Sequence, residues 1–221
     1  MAVAEAAIVR LCGWGRGRPT SGLGLLVGAD QVVTCAHVVN AALGRGLLEQ
    51  GRPDESVLVQ VEFPLLPATP VRLARVVAWT APRGRDGGGD IAGLVLAEVA
   101  PAGAVPARFT ASIPGPGMRL RAFGYPGSPA RGNGMWVDAE LKGEVRGGLL
   151  QVESLSGQSV KAQPGYSGSP AWEHSGDKAV GLLQVAPLAA ESERDAYLLS
   201  PLAIAQAWDE PFDYLLVPDN P

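Results

Sequence analysis

Apolar residues in this chain come in short runs separated by turn formers. The first half holds Ala7–Cys12, Gly24–Val27, Val32–Thr34, Ser56–Phe63, Val71–Trp79 and Ile91–Leu96. The second half holds Met118–Phe123, Met135–Glu144, Leu149–Ser154, Ser169–Trp172, Ala179–Val185 and Ala196–Ser200. Runs of this length, rich in Val and Leu and bounded by Gly, Pro, Asp and Asn, read as strands. Gly28-Ala29-Asp30 marks a turn between two of them, and Pro82–Gly89 is a glycine-rich loop. Helical periodicity is scarce. The best helix is Pro201–Trp208, with Ser200 as its cap and Pro201 at the first helical position. The pattern predicts an all-β chain of two packed six-stranded antiparallel β-barrels with a short C-terminal helix. An Ala- and Pro-rich stretch from Val99 to Gly117 marks the connection, which divides one compact unit, 1–221, into a first barrel over 1–100, a link over 101–117 and a second barrel with its helix over 118–221.

Composition narrows the possibilities. At 221 residues the chain is long enough for a large buried core, and 29 Gly with 19 Pro supply the turns that an all-β fold needs. A net charge of −4 with scattered basic residues gives no electrostatic reason to expect nucleic acid or an anionic membrane as partner. Met1–Arg10 has no positive leader region and carries Glu5, and no run approaches a membrane span, so a cytoplasmic location is expected. Cys12 and Cys35 are too few for a disulfide framework and are expected to be reduced, small, buried side chains. With His174 the only histidine besides His37, the spacing suggests neither a metal site nor a cofactor.

The segment Pro164-Gly165-Tyr166-Ser167-Gly168-Ser169-Pro170 carries the most chemistry. A serine on so tight a turn has backbone N–H groups beside it that can face a developing oxyanion, which makes Ser167 a candidate nucleophile. Serine alone is inert and needs a base, held in turn by an acid. The β-branched run Val32–Val39 delivers His37, and Gly89–Leu96 places Asp90 at the head of an apolar run. Asp86 competes with Asp90, but it sits within the glycine-rich loop and cannot hold an imidazole still. His37, Asp90 and Ser167 thus form a candidate triad, with the Gly165 and Ser167 amides as oxyanion donors. Singly, each has a plainer reading: a turn serine, a strand-end histidine, a loop aspartate.

The three blocks resemble T-x-A-H, D-I/V-A-x-L-x-L and G-x-S-G-G/S-P of the trypsin/chymotrypsin superfamily of serine peptidases, in that order. Ser21–Val27, Phe123–Gly127 and Val180–Leu183 resemble further strands of it, so the likeness runs from about Ser21 to Gln184. The Pro164-Gly165 lead-in resembles the Deg branch more than the digestive enzymes. The resemblance implies a chymotrypsin-like fold, a polypeptide substrate, hydrolysis through an acyl-enzyme, and attachment to further domains of a larger bacterial protein. It also puts Lys161, Leu183 and Gln184 among the substrate-binding positions; Lys161 would favour an acidic residue before the scissile bond, or simply face solvent. Two departures stand out. Tyr166 replaces the aspartate that binds a newly freed N-terminus in digestive zymogens, and Cys35 precedes His37 by two residues where those enzymes have a bridging cysteine just after the histidine. The competing reading is a protease-like regulatory or binding module, latent until a partner domain orders its site.

Overall fold

The first six strands close on themselves. In the computed structural model, which describes residues 3–14, 20–83, 89–127, 130–145, 148–155, 165–174, 178–185, 195–208 and 216–217, a short helix α1 (Val3–Ala7) leads into β1 (Ile8–Cys12). Next come β2 (Thr20–Leu26), β3 (Gln31–Thr34), helix α2 (Ala36–Ala42), β4 (Leu58–Glu62), β5 (Val71–Pro82) and β6 (Gly89–Leu96). These strands form a closed antiparallel barrel in the order β1-β2-β3-β6-β5-β4. Ile8, Leu11, Leu23, Leu25, Val33, Val61 and Leu94 on its strands are each fully buried. The long β5 pairs with both β4 and β6, and its ladder to β6 carries a register shift between Val76 and Ala78.

The second barrel is built from β8 (Arg119–Gly124), β9 (Met135–Val145), β10 (Leu149–Ser154), β11 (Pro170–Glu173), β12 (Lys178–Gln184) and β13 (Asp195–Leu199). Pairing of β11 with β12 closes the order β11-β8-β9-β10-β13-β12 into a ring of six antiparallel strands. Within this ring of six every strand has two neighbours. Two short strands were not foreseen: β7 (Arg108–Thr110), inside the expected connection, and β14 (Leu216–Val217), which pair in parallel along the outside of β12 and of β7.

Helix α2 was not foreseen either. β3 ends at Thr34, where the expected strand Val32–Thr34 ends, and the helix follows from Ala36 with Cys35 as its cap residue. The ladder to β6 stops at Thr34 opposite Ala92, and the Cys35 side chain makes no capping bond. The orphan N–H of His37 is instead satisfied by the Asp90 carboxylate at 2.8 Å, so the helix is capped from another strand. Val38 and Val39 are fully buried on this helix.

The C-terminal helix α3 (Pro201–Ala207) follows its local signals. Ser200 is extended, its Oγ accepts the Ala203 N–H at 3.2 Å, and Pro201 sits at the start. The chain then puts the Trp208 indole on Gly93 of β6, where a Cβ would come within 2.6 Å of the ring. A helix that follows the second barrel thus packs on the first. Ser200→Ala is expected to lower stability by about 1 kcal/mol through loss of the cap. Denaturant midpoints of the two proteins measure it, and an unchanged midpoint contradicts the role of the cap.

Candidate active site

His37 stands in the first turn of α2, and Asp90 at the start of β6, behind the glycine-rich loop. Asp90 has φ 63° and follows Gly89 at φ 75°. A left-handed backbone at a non-glycine residue costs on the order of 1–2 kcal/mol, and an aspartate tolerates it better than most. Three N–H donors hold the carboxylate there. Oδ1 accepts the His37 backbone N–H at 2.8 Å, and Oδ2 faces His37 Nδ1 at 2.6 Å and accepts the Gln184 side-chain amide at 2.9 Å. Asp90 is 1% exposed and His37 5%. An ionised carboxylate can only accept, so Nδ1 carries the proton and the lone pair of the neutral ring lies on Nε2. The ring is thereby set up as a base.

Ser167 lies in the turn that leads into β11, and that turn is fastened to both barrels. Its carbonyl accepts the Leu23 N–H of β2 at 2.8 Å. The Gly165 carbonyl accepts from Tyr125 N at 3.0 Å, Ser169 N donates to the Tyr166 carbonyl at 3.0 Å, and Ser169 Oγ donates to the Phe123 carbonyl at 2.7 Å. Two glycines are required. At Gly165, φ +104°, a Cβ would come within 2.0 Å of the Tyr125 carbonyl oxygen; at Gly168, φ +77°, within 2.0 Å of the Leu23 carbonyl oxygen and 2.7 Å of Thr34 Oγ1.

The histidine and serine segments share neighbours. Leu183 O accepts the Gly168 N–H at 2.7 Å and the Cys35 thiol at 3.5 Å, linking the residue after Ser167 to the one before α2. Gly22 lies between them as well: a Cβ there would meet Val38 at 2.5 Å and the Ser167 carbonyl at 2.7 Å. His37 and Asp90 are therefore joined directly, with the Ser167 turn packed beside them. Gln184, expected among the substrate-binding positions, turns its amide to Asp90, a contact from the second barrel to the first that nothing in the local sequence signals. Leu183 is buried, and its amide and carbonyl support the serine turn. Lys161 and Asp86 lie outside the described residues.

Both cysteines are free and buried. Burial, and then the Asp90 charge, push the Cys35 thiol well up; burial and Glu62 push Cys12 up to about 11. Cys35, His37 and Asp90 each offer a ligand atom within 4.8 Å of the others, a mixed cluster that their sequence spacing did not suggest. Tyr166 packs its ring on Gly124, and burial raises its phenol, whose oxygen has no hydrogen-bond partner among the described residues. It is neutral and apolar in surroundings.

The family of the trypsin-like peptidase domain matches residues 22–182. No curated protein matches the chain. Among solved structures, the active form of the Rv3671c protease from M. tuberculosis is 17% identical, with a TM-score of 0.62 over 98% of this chain and 85% of that one. A serine-to-alanine mutant of Rv3671c in an inactive form is 18% identical, with a TM-score of 0.61 over 92% and 85%. Kallikrein-related peptidase 10 in complex with Zn2+ is also 18% identical, with a TM-score of 0.63 over 93% and 95%. Identities this low establish the shared two-barrel fold, and the family match spans most of the chain, from the strand before His37 to the strand after Ser167. The chain belongs to the trypsin-like peptidase domain family.

Proposed function

We propose that the chain is a serine endopeptidase in which His37, Asp90 and Ser167 act as the triad. In the first step His37 Nε2 takes the proton of Ser167 Oγ as that oxygen attacks the scissile carbonyl carbon. Asp90 keeps the imidazole in the required tautomer and stabilises the imidazolium that forms. The Gly165 and Ser167 amides bind the oxyanion of the tetrahedral intermediate. The imidazolium then gives its proton to the leaving amine, and an acyl-Ser167 ester remains. Water, deprotonated by the same nitrogen, hydrolyses that ester and restores the serine. The observation that carries the reading is the His37–Asp90 contact, 2.6 Å at Nδ1, beside a serine turn tied to the same strand carbonyl as Cys35.

Tyr166 bears on activation. A neutral, buried phenol cannot form the ion pair with a new α-amino group through which digestive zymogens order their oxyanion loop, so the site forms without N-terminal cleavage. Any latency is then a shift in conformational population. Two free, buried thiols and a net charge of −4 fit a cytoplasmic enzyme.

The test is digestion of an unbiased peptide library by the purified chain, with its own N-terminus sequenced before and after. The expected result is cleavage of internal peptide bonds by a chain still beginning at Met1, abolished by Ser167→Ala. Cleavage that survives the substitution, or that starts only after the N-terminus is trimmed to Ala7 or Ile8, contradicts the proposal.

A further inference from the structure

The Cys35 thiol has no part in the hydrolysis proposed above, yet it lies against the groups that do. It is fully buried two residues before His37, and its sulfur, the imidazole and the Asp90 carboxylate place ligand atoms within 4.8 Å of one another. Thiolate, imidazole and carboxylate are the donor set of tetrahedral zinc-like sites. At bond lengths of about 2.3 Å to sulfur and about 2.0–2.2 Å to nitrogen and oxygen, the donors around such an ion stand roughly 3.3–3.6 Å apart. His37 Nδ1 and Asp90 Oδ2 are 2.6 Å apart, so less than about 1 Å of separation admits an ion between them. The Leu183 carbonyl, 3.5 Å from Cys35 Sγ, offers an oxygen for the fourth position.

We propose that Cys35, His37 and Asp90 form a binding site for a thiophilic divalent cation, one whose occupation switches off the base. The Cys35 thiol gives its proton to solvent and a sulfur–metal bond forms. The metal replaces the proton on His37 Nδ1, and the ring carries a proton on Nε2 instead. Before binding, thiol and ring hold two protons; afterwards the ring holds one, and nothing is oxidised or reduced. A ring protonated on Nε2 has no lone pair for the serine proton, so hydrolysis stops. Because Asp90 and Cys35 lie deeper than the imidazole, the ion must pass the ring, and inhibition sets in slowly. The inhibitory consequence rests on the proposed peptidase reading; binding of the ion does not.

Cadmium is the probe, added to the intact chain and to Cys12→Ala, Cys35→Ala and Cys35→Ser, the last keeping the size of the side chain. The readouts are the ultraviolet thiolate-to-cadmium absorption and the rate of fluorophosphonate labelling, each protein referred to its own metal-free rate. The absorption is expected in the wild type and in Cys12→Ala. Affinity should fall by about tenfold or more, or vanish, in both Cys35 variants, since losing even an outer partner of a metal ligand costs about 10–100-fold. Labelling should decline slowly with cadmium in the first two proteins and hold steady in the last two. An absorption that disappears with Cys12 and survives Cys35→Ser, or none at all, overturns the site. An absorption dependent on Cys35 in a chain that hydrolyses nothing supports the site while sinking the peptidase reading, so the two fail separately.

Discussion

Asp90→Asn is expected to lower turnover about 10⁴-fold while leaving the protein folded. The wild-type carboxylate accepts three N–H groups, from the His37 backbone, His37 Nδ1 and the Gln184 amide. An asparagine has one oxygen to offer, and its NH2 group must face a donor. The least costly adjustment is for the imidazole to move its proton to Nε2, the wrong tautomer for taking a proton from serine. The kinetic loss corresponds to about 5 kcal/mol of barrier. The structural loss is smaller: asparagine tolerates the left-handed backbone found at Asp90, and one unsatisfied buried donor costs about 1–3 kcal/mol. Steady-state kinetics on a peptide substrate, together with a denaturant titration, separate the two. A loss of turnover below tenfold, or one matched by outright unfolding, contradicts the role assigned to Asp90.

Gly165→Ala should be the most damaging glycine substitution in the serine turn. A Cβ there meets the Tyr125 carbonyl oxygen at 2.0 Å, and the φ of +104° is one that an L side chain resists. Both partners are backbone, so neither gives way easily; the peptide must rotate, taking the Gly165 N–H out of the oxyanion position. Losing one such donor lowers turnover by about 10²–10³. Gly148→Ala is the matched control. Gly148 also has a positive φ, +74°, but a Cβ there has nothing within 4 Å, so it reports backbone strain alone, about 1–2 kcal/mol. Turnover by Gly165→Ala that stays within threefold of the control would place the oxyanion donor elsewhere.

The strands and the final helix were legible because their signals are local. Ser200 and Pro201 announce the start of α3 by their own chemistry, and Leu149–Ser154 is bounded by the residues expected. Helix α2 was hidden for the opposite reason. Val32, Val33, Val38 and Val39 look alike along the chain, and what divides them is a carboxylate supplied by Asp90, 53 positions after His37. The contact of Gln184 with Asp90 was hidden on the same grounds, since the two residues are 94 positions apart. Strands β7 and β14 are three and two residues long and pair in parallel, too short to leave a period. The cluster of Cys35 with His37 and Asp90 is likewise a product of folding: two of its members are neighbours in sequence, and the third arrives on a different strand.

The most direct measurement of the central claim is mass mapping of the adduct formed by a fluorophosphonate probe on the purified, unprocessed chain. Labelling demands a nucleophilic serine and a formed oxyanion site together, so it reads the whole arrangement in one experiment. A single adduct on Ser167, lost in Ser167→Ala and sharply reduced in Asp90→Asn, is the predicted result. An adduct on any other serine, or labelling that persists in Ser167→Ala, would contradict the assignment.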